Sequence, residues 1–470
     1  MFNLITDNWI RATALDGSSR EYGIKELLMN AHELISITDD SPLIEYAIYR
    51  FLFVFLMDAY QPKTVFAIRD LLSVGVFDEG TIDEYIDLCM SEEVSFDIFD
   101  KSNPFLQECI EDGISRKSVA ALNPIIPTGT SRTFFDHGLE RTRKFTKAEA
   151  ARALTSTTIF PRGGAGYYAC ISGEGLVFNI LMGNNLFETL IYGMLPKNNT
   201  YLEYGKPYWR EKGFVPKEKR VDTSLLFGLT FPIRQVNLLD EEDEISTIHF
   251  APGMSPSIEH WRDPYVAYIQ GKDKMYPMRA SQDASTGALK SQWRNIATIA
   301  SKNDGIQILN NANDREDVRV VSYAIFVNNA IQNVLRSEFL LPLDIYSDES
   351  KNEQVQEAIQ KCEEVASKLK KSMHASVNRG KTAVAESVIR DYIFRYYDQC
   401  EDMFNEQVAG KIDVDRWVAD IGNVAIAFYN DFLDKYCNDS DRIAEGIKQR
   451  NALCRQLSKM GWQKYPNIIE

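Results

Sequence analysis

Apolar positions along the chain change period several times, and those changes outline the architecture. Phe2 to Ile10 reads as a short strand leading into a turn. Asp16-Gly17 marks a hairpin, and Ile24 to Leu34 has the spacing of an amphipathic helix. Ser41-Pro42 then caps a strongly apolar helix over about 42–60, with proline in its first turn. Two more helices fit 63–75 and 80–90, and an aromatic knot follows at Phe96 to Gln107. Residues 108–145 lack periodicity. Thr146, with Glu149 three residues on, forms a capping box for a helix over 147–159. An apolar run spans Leu176 to Leu190 and ends near Gly193. Leu225–Leu239 and Glu244–Phe250 read as strands around an acidic tip, 240–243, and 263–268 and 318–326 as further strands. A helix-like run over about 330–338 follows Asn328-Asn329, where asparagine favours a tight, exposed turn.

From about residue 351 the period becomes helical and stays so. Spans of 351–377, 381–405, 412–437 and 441–460, with short polar breaks, predict an antiparallel four-helix bundle. The expected fold is therefore α+β: a large mixed N-terminal domain over 1–350, followed by the bundle over 351–470.

Charge narrows the chemistry. The net charge of −15 argues against a free-standing nucleic-acid binder. The bundle is nearly balanced, with 18 basic and 19 acidic residues, so the negative excess sits almost wholly in the first 350 residues. Against it stand local basic islands. Residues 114–148 hold seven Lys/Arg and two Asp/Glu, which suits either a phosphate-facing surface or a solvated loop. In 205–220 six basic residues, among them Lys206, Arg210, Lys217, Lys219 and Arg220, interleave with Tyr208 and Trp209. A third island, with Lys368, Lys370, Lys371, Arg379 and Lys381, surrounds the first inter-helix turn of the bundle and fits an ordinary bundle surface or a nucleic-acid contact.

Seven scattered cysteines without a Cys-x-x-Cys pair disfavour a structural zinc site and a disulfide framework, and suit a reduced, cytoplasmic chain. No metal site or cofactor is expected. The N-terminus lacks the pattern of a signal peptide. The most apolar run, 46–60, is interrupted by Arg50 and Asp58 and is too short to span a bilayer, so no membrane role is expected.

The most distinctive stretch is Phe160-Pro161-Arg162-Gly163-Gly164-Ala165-Gly166-Tyr167-Tyr168, continuing to Ser172-Gly173-Glu174-Gly175. Five glycines in thirteen residues let a backbone approach another surface closely and present its N–H groups. The stretch fits a phosphate site, a nucleic-acid groove, a tight protein contact or a plain turn. It is not a dinucleotide or P-loop fingerprint, since it follows a helix and no Gly-Lys-Ser/Thr comes after it. A nucleotide- or phosphate-binding enzyme using the Gly163–Gly166 loop, with Asp136-His137 for acid–base work, is the alternative from another class.

An ordered set of segments resembles the CasA family, the large subunit of the type I-E CRISPR Cascade surveillance complex. The set comprises residues 2–10, 23–28 and 31–34, the Phe99–Gln107 knot and Thr133-Phe134-Phe135-Asp136-His137. It continues through Ala148-Glu149-Ala150-Ala151-Arg152, the glycine stretch, Leu229-Thr230-Phe231-Pro232-Ile233-Arg234 and Asp263-Pro264-Tyr265-Val266-Ala267-Tyr268. The resemblance implies a non-catalytic subunit that recognises the protospacer-adjacent motif (PAM) in double-stranded DNA and helps open the duplex. It further implies that the subunit holds the displaced non-target strand and recruits a helicase-nuclease. Its partners would be the other Cascade subunits, CRISPR RNA and target DNA.

Residue by residue, Gly163, Gly164 and Gly166, with Arg162 beside them, match the family's groove-reading loop. Asn328 and Asn329 match a hairpin tip that carries a glutamine in the family. Asn123 to Arg132, with Thr128, Thr130 and the following Phe134, match a loop that touches the RNA handle and neighbouring subunits. There are two departures: Asn329 is one methylene shorter than glutamine, and 245–258 contains no Lys or Arg where the family can place a groove-entering lysine. The second implies a different PAM preference. The resemblance leaves the basic islands unassigned; their lysines and arginines are candidates for DNA-backbone contacts on charge alone.

Overall fold

A computed structural model describes residues 1–108, 116–126, 143–160, 170–199, 202–211, 213–239, 243–312, 314–328, 330–377, 384–410 and 412–462. Side chains of 327–332 lie outside the description. The chain divides into two compact units, Met1–Ala280 with Ile306–Glu338, and Ser281–Gly305 with Phe339–Glu470.

The first unit is built around the helix Pro42–Tyr60. Ser41 caps it, its Oγ accepting from the Ile44 N–H at 3.5 Å, and Pro42 fills the first helical position. The helix ends at Gln61, whose φ of 47° is left-handed and whose side-chain amide donates to the Asp58 carbonyl at 2.9 Å. Every residue from Leu43 to Asp58 is buried, so the helix has no solvent face and shows no amphipathic period. Its rings point to all sides. Phe51 meets Trp209 at 5.3 Å, Phe53 stacks on Tyr265 at 5.5 Å, Phe55 meets Tyr85 edge-on at 4.8 Å and Tyr46 stacks on Phe178 at 4.9 Å. The aromatic knot closes one side, with Phe96 and Phe105 at 5.0 Å.

Strands of two small sheets, Leu34–Ile37 and Asp317–Asn328, pack on this helix. One has the order Ser19–Tyr22, Ile10–Ala14, Leu34–Ile37, all antiparallel. Its hairpin turns at Asp16-Gly17, with Gly17 at φ 84°. The strand expected over Phe2–Ile10 starts only at Ile10, because the Asn3 and Asp7 groups close a turn: the Asn3 N–H donates to Asp7 Oδ2 at 2.6 Å and the Asp7 N–H to the Asn3 carbonyl at 2.8 Å. The helix expected over Ile24–Leu34 covers Ile24–Met29 alone. Asn30 ends it by donating its amide to the Glu26 carbonyl at 2.7 Å, and Leu34 already belongs to a strand.

A second sheet runs Arg116–Ser118, Thr247–Pro252, Arg234–Leu238. The first part of the strand expected over Leu225–Leu239 is instead a short helix, Leu225–Leu229. Thr230 closes it, its hydroxyl donating back to the Leu226 carbonyl at 2.9 Å.

The third sheet has the order Ala330–Pro342, Asp317–Asn328, Phe178–Met182. The run at 330–338 is thus a strand and not the expected helix. Pairing with the preceding twelve-residue strand overrides a weak local preference, and the β-branched Val334 suits a pleated backbone.

The second unit holds four long helices, Glu349–Val377, Glu386–Val408, Val414–Tyr436 and Ser440–Ser458, and the first packs on the other three. Asp413 and Asp439 cap the third and fourth. Buried Tyr392, Tyr396, Trp417, Tyr429 and Phe432 fill the space between them, and the Trp417 indole N–H donates to the Ala358 carbonyl at 2.8 Å. The segment Ser281–Gly305 joins this unit through Arg294, which lies 3.8 Å over the Tyr397 ring and bonds Asp283 and Glu363.

Candidate nucleic-acid interface

The helix leading to the glycine stretch begins with the capping box read from sequence. The Thr146 N–H donates to Glu149 Oε2 at 2.8 Å and the Glu149 N–H to Thr146 Oγ1 at 3.2 Å. Arg152, on this helix and buried, anchors it to the Trp9 carbonyl at 2.7 Å, Glu21 at 2.6 Å and Asp39 at 3.1 Å. A 3₁₀ turn over Ser156–Thr158 brings the chain to Phe160, whose buried ring meets Phe178 at 5.6 Å and Tyr46 at 6.0 Å. Arg162, Gly163, Gly164 and Gly166 lie outside the described residues.

The chain is described again from Cys170, buried in an apolar cluster with Tyr208, Phe227, Phe231, Ile233 and Met254. Two residues on, the Ser172 hydroxyl donates to Asp263 Oδ2 at 2.8 Å and accepts from the Trp261 indole N–H at 2.8 Å. The same Asp263 oxygen takes Arg50 Nη1 at 2.7 Å. Gly173, at φ 101°, and Gly175, at φ 70°, then turn the chain into the Phe178–Met182 strand. A Cβ at Gly175 would lie 3.4 Å from the Ile325 carbonyl oxygen, and Phe178 pairs with Tyr323. The exit of the glycine stretch therefore runs beside the long hairpin, whose first strand ends at Asn328. Asn329 lies outside the described residues, as does the side chain of Asn328.

Three charged side chains on the Pro42–Tyr60 helix reach three of these segments. Glu45 accepts from the hydroxyl of Tyr323 at 2.5 Å and from Arg336 at 3.2 Å, on the two strands of the hairpin. Arg50 holds Asp263. Asp58 takes Arg210 at 2.9 Å through both carboxylate oxygens, and Tyr85 at 2.8 Å. A buried charge is costly without a partner, so Arg50 and Asp58 in an apolar run were signals of paired sites, and their partners come from far along the chain.

The 205–220 island is divided by its counter-charges. The Arg210 side chain is only 7% exposed, and Glu92 takes its Nε at 2.7 Å. Lys206 reaches Glu92 at 2.9 Å. These cations hold the Glu92 carboxyl at about 2, Arg210 hydrogen bonding being the larger cause. Lys217 and Lys219 are exposed and Arg220 is half-buried, with Lys219-Arg220 paired to Ser255-Pro256. Nearby, Glu108 lies under Tyr208, which donates its hydroxyl to it, and burial pushes the Glu108 carboxyl up to about 7.

Asn123 opens its loop with an Asx turn, Oδ1 accepting from the Ile125 N–H at 3.1 Å. Thr128, Thr130, Arg132 and Phe134 lie outside the described residues. In the second unit Lys370 is bound internally, to the Ala284 and Ser285 carbonyls at 3.1 and 3.0 Å and to Glu386 at 3.1 Å. Lys371 is exposed and Lys368 half-buried on the same helix. Arg379 and Lys381 lie outside the described residues. Among the described residues no three His, Cys, Asp or Glu side chains group as metal ligands, and no helix is long and apolar enough to cross a membrane.

Residues 3–425 match the family model for the CRISPR-associated protein Cse1. The CRISPR-associated protein CasA/Cse1 of Thermus thermophilus is 29% identical over 325 residues, 65% of this chain, and the match spans 61% of that relative's length. A crystal structure of Thermus thermophilus CasA superposes with a TM-score of 0.79 at 21% identity, covering 97% of this chain and 99% of its own. A chain of a CRISPR RNA-guided surveillance complex superposes with a TM-score of 0.78 at 16% identity, covering 96% and 99%.

Proposed function

This chain belongs to the CRISPR-associated Cse1 family, and we propose that it is the non-catalytic large subunit of a type I-E RNA-guided surveillance complex, where it reads the PAM. The observation that carries this reading is the adjacency of two elements. The exit of the glycine stretch packs at Gly175 against Ile325 of the long hairpin, so a groove-reading loop and a duplex-opening tip would act on neighbouring base pairs.

The minor groove is narrow and its code degenerate, so Gly163, Gly164 and Gly166 would enter as backbone and read mainly shape and A·T versus G·C. Arg162 would meet the phosphates beside them. The hairpin tip at Asn328-Asn329 would insert at the first base pair, its amide offsetting part of the lost stacking, about 1.4 kcal/mol per step. Guide-RNA pairing reads the remaining sequence, a division of labour known for another RNA-guided effector.

In a chain of net charge −15, phosphate contact must come from local islands and from the assembly. Lys217, Lys219, Arg220, Lys368 and Lys371 are the proposed backbone contacts. Arg210 and Lys370 already answer carboxylates and carbonyls within the protein. The loop from Asn123 through Phe134 would touch the RNA handle and adjacent subunits. Residues 1–350 would carry recognition, and 351–470, as an antiparallel four-helix bundle, would hold displaced strand and help recruit a helicase-nuclease in the cytoplasm.

The test is binding of a PAM duplex by the RNA-guided complex reconstituted with and without this chain, across a salt titration. The proposal expects tight, PAM-dependent and salt-sensitive binding only with the chain present. PAM-dependent binding of equal strength without it would refute the proposal.

A further inference from the structure

The hairpin reaches past its own sheet. The third strand pairs from Arg319↔Met182 to Tyr323↔Phe178, and Gly175 flanks Ile325. From Ile325 to Asn328 the first arm runs on for three residues, about 10 Å at the usual strand rise. A two-stranded ribbon has little stability of its own and twists strongly, so the direction of its tip depends on how its root is held.

At the root one buried carboxylate bonds both strands. Glu45 Oε1 accepts from the Tyr323 hydroxyl on the first strand and from Arg336 Nε on the second. Glu45 lies in the first turn of the buried Pro42–Tyr60 helix, where the amide dipoles favour a negative charge. Its side chain is 8% exposed, so this bond to both strands is screened from water. The Arg336 guanidinium also lies 5.8 Å over the Tyr323 ring, and Glu338 ties Arg319 across the strands at 3.3 Å.

We infer that Glu45 is a positioning residue for duplex opening, setting the angle at which the hairpin tip meets DNA; the inference rests on the reading of that tip given above. The test uses the full chain in the reconstituted complex. The rate of opening is followed with 2-aminopurine at the base pair beside the PAM. One target is fully paired, and another carries a mismatched bubble beside the PAM with the probe at its inner edge. Glu45→Gln and the milder Tyr323→Phe are expected to slow opening of the paired target about tenfold while PAM-duplex affinity stays within about twofold. Both should run at the unsubstituted rate on the bubble.

Damage to the fold alone would lower binding and slow both targets together, and that result overturns the inference. Unchanged rates on the paired target overturn it as well. Asn329→Gly separates the two levels. If it opens paired DNA at the normal rate, the reading of the tip falls and the inference with it. If it is slow while both root variants are normal, only the inference falls.

Discussion

Arg50 and Asp263 meet 213 positions apart in the chain in an ion pair of 2.7 Å, with side-chain exposures of 2% and 0%. The pair is well satisfied. Arg50 also donates to the Leu229 carbonyl at 3.1 Å, and Asp263 accepts from Ser172 and from the Tyr265 N–H. Through it one helix fixes both the exit of the glycine stretch and the 263–268 segment. Removing one partner leaves a buried charge unanswered, so Asp263→Asn or Arg50→Met should each cost about 3–5 kcal/mol. The pair should be coupled, so the double replacement should cost less than the two single costs added. Denaturant unfolding of the chain, followed by tryptophan fluorescence, measures this, and single costs below about 1 kcal/mol would argue against the helix as hub.

Two glutamates should give the stability opposite slopes with pH. Glu92 has its carboxyl held at about 2, below the ordinary 4.5, so its stabilisation is present above 4.5 and is lost as pH falls toward 2. Glu108 is raised to about 7, so its favourable contribution is present below 4.5 and is lost as pH rises through 7. Glu92→Gln should therefore lower the melting temperature at pH 7, with the deficit shrinking below pH 4.5. Glu108→Gln should raise it at pH 8 and leave it nearly unchanged at pH 4.5. Melting curves across that range test both signs.

Gly193 ends the helix Leu186–Tyr192 with an ordinary φ of −75°, so its need for glycine is one of space. A Cβ there would lie 2.2 Å from the Phe53 ring. Gly193→Ala should destabilise the chain by about 1–3 kcal/mol, the cost of overpacking a core. Gly17→Ala has open space but a φ of 84°, and should cost only about 1 kcal/mol. Paired thermal melts rank the two.

Local chemistry made part of this fold legible. Ser41-Pro42 and the Thr146–Glu149 box announce their helices because a cap is written within four residues. The four C-terminal helices show in their period. The short strands near the N-terminus are less visible, since Ile10–Ala14 and Leu34–Ile37 are defined by each other, and the strand at 330–338 is defined by its neighbour Asp317–Asn328. Charge counting had a similar blind spot. Arg210 adds to a basic island in sequence, yet Asp58 and Glu92 answer it in space. Glu45 carries no mark in the sequence, because nothing nearby in the chain identifies Tyr323 and Arg336 as its partners. The ordered motifs, by contrast, pointed to the family that the comparisons show.

If the glycine stretch reads the PAM, Gly164→Asp in the chain should change the affinity of the reconstituted complex for PAM against non-PAM duplexes. A carboxylate at that position would meet the phosphate-lined groove with both bulk and like charge. The expected result is a complex that assembles normally and loses most of its preference for the PAM duplex. Full PAM preference in the Gly164→Asp complex, or loss of assembly with PAM preference retained in whatever complex forms, would contradict it.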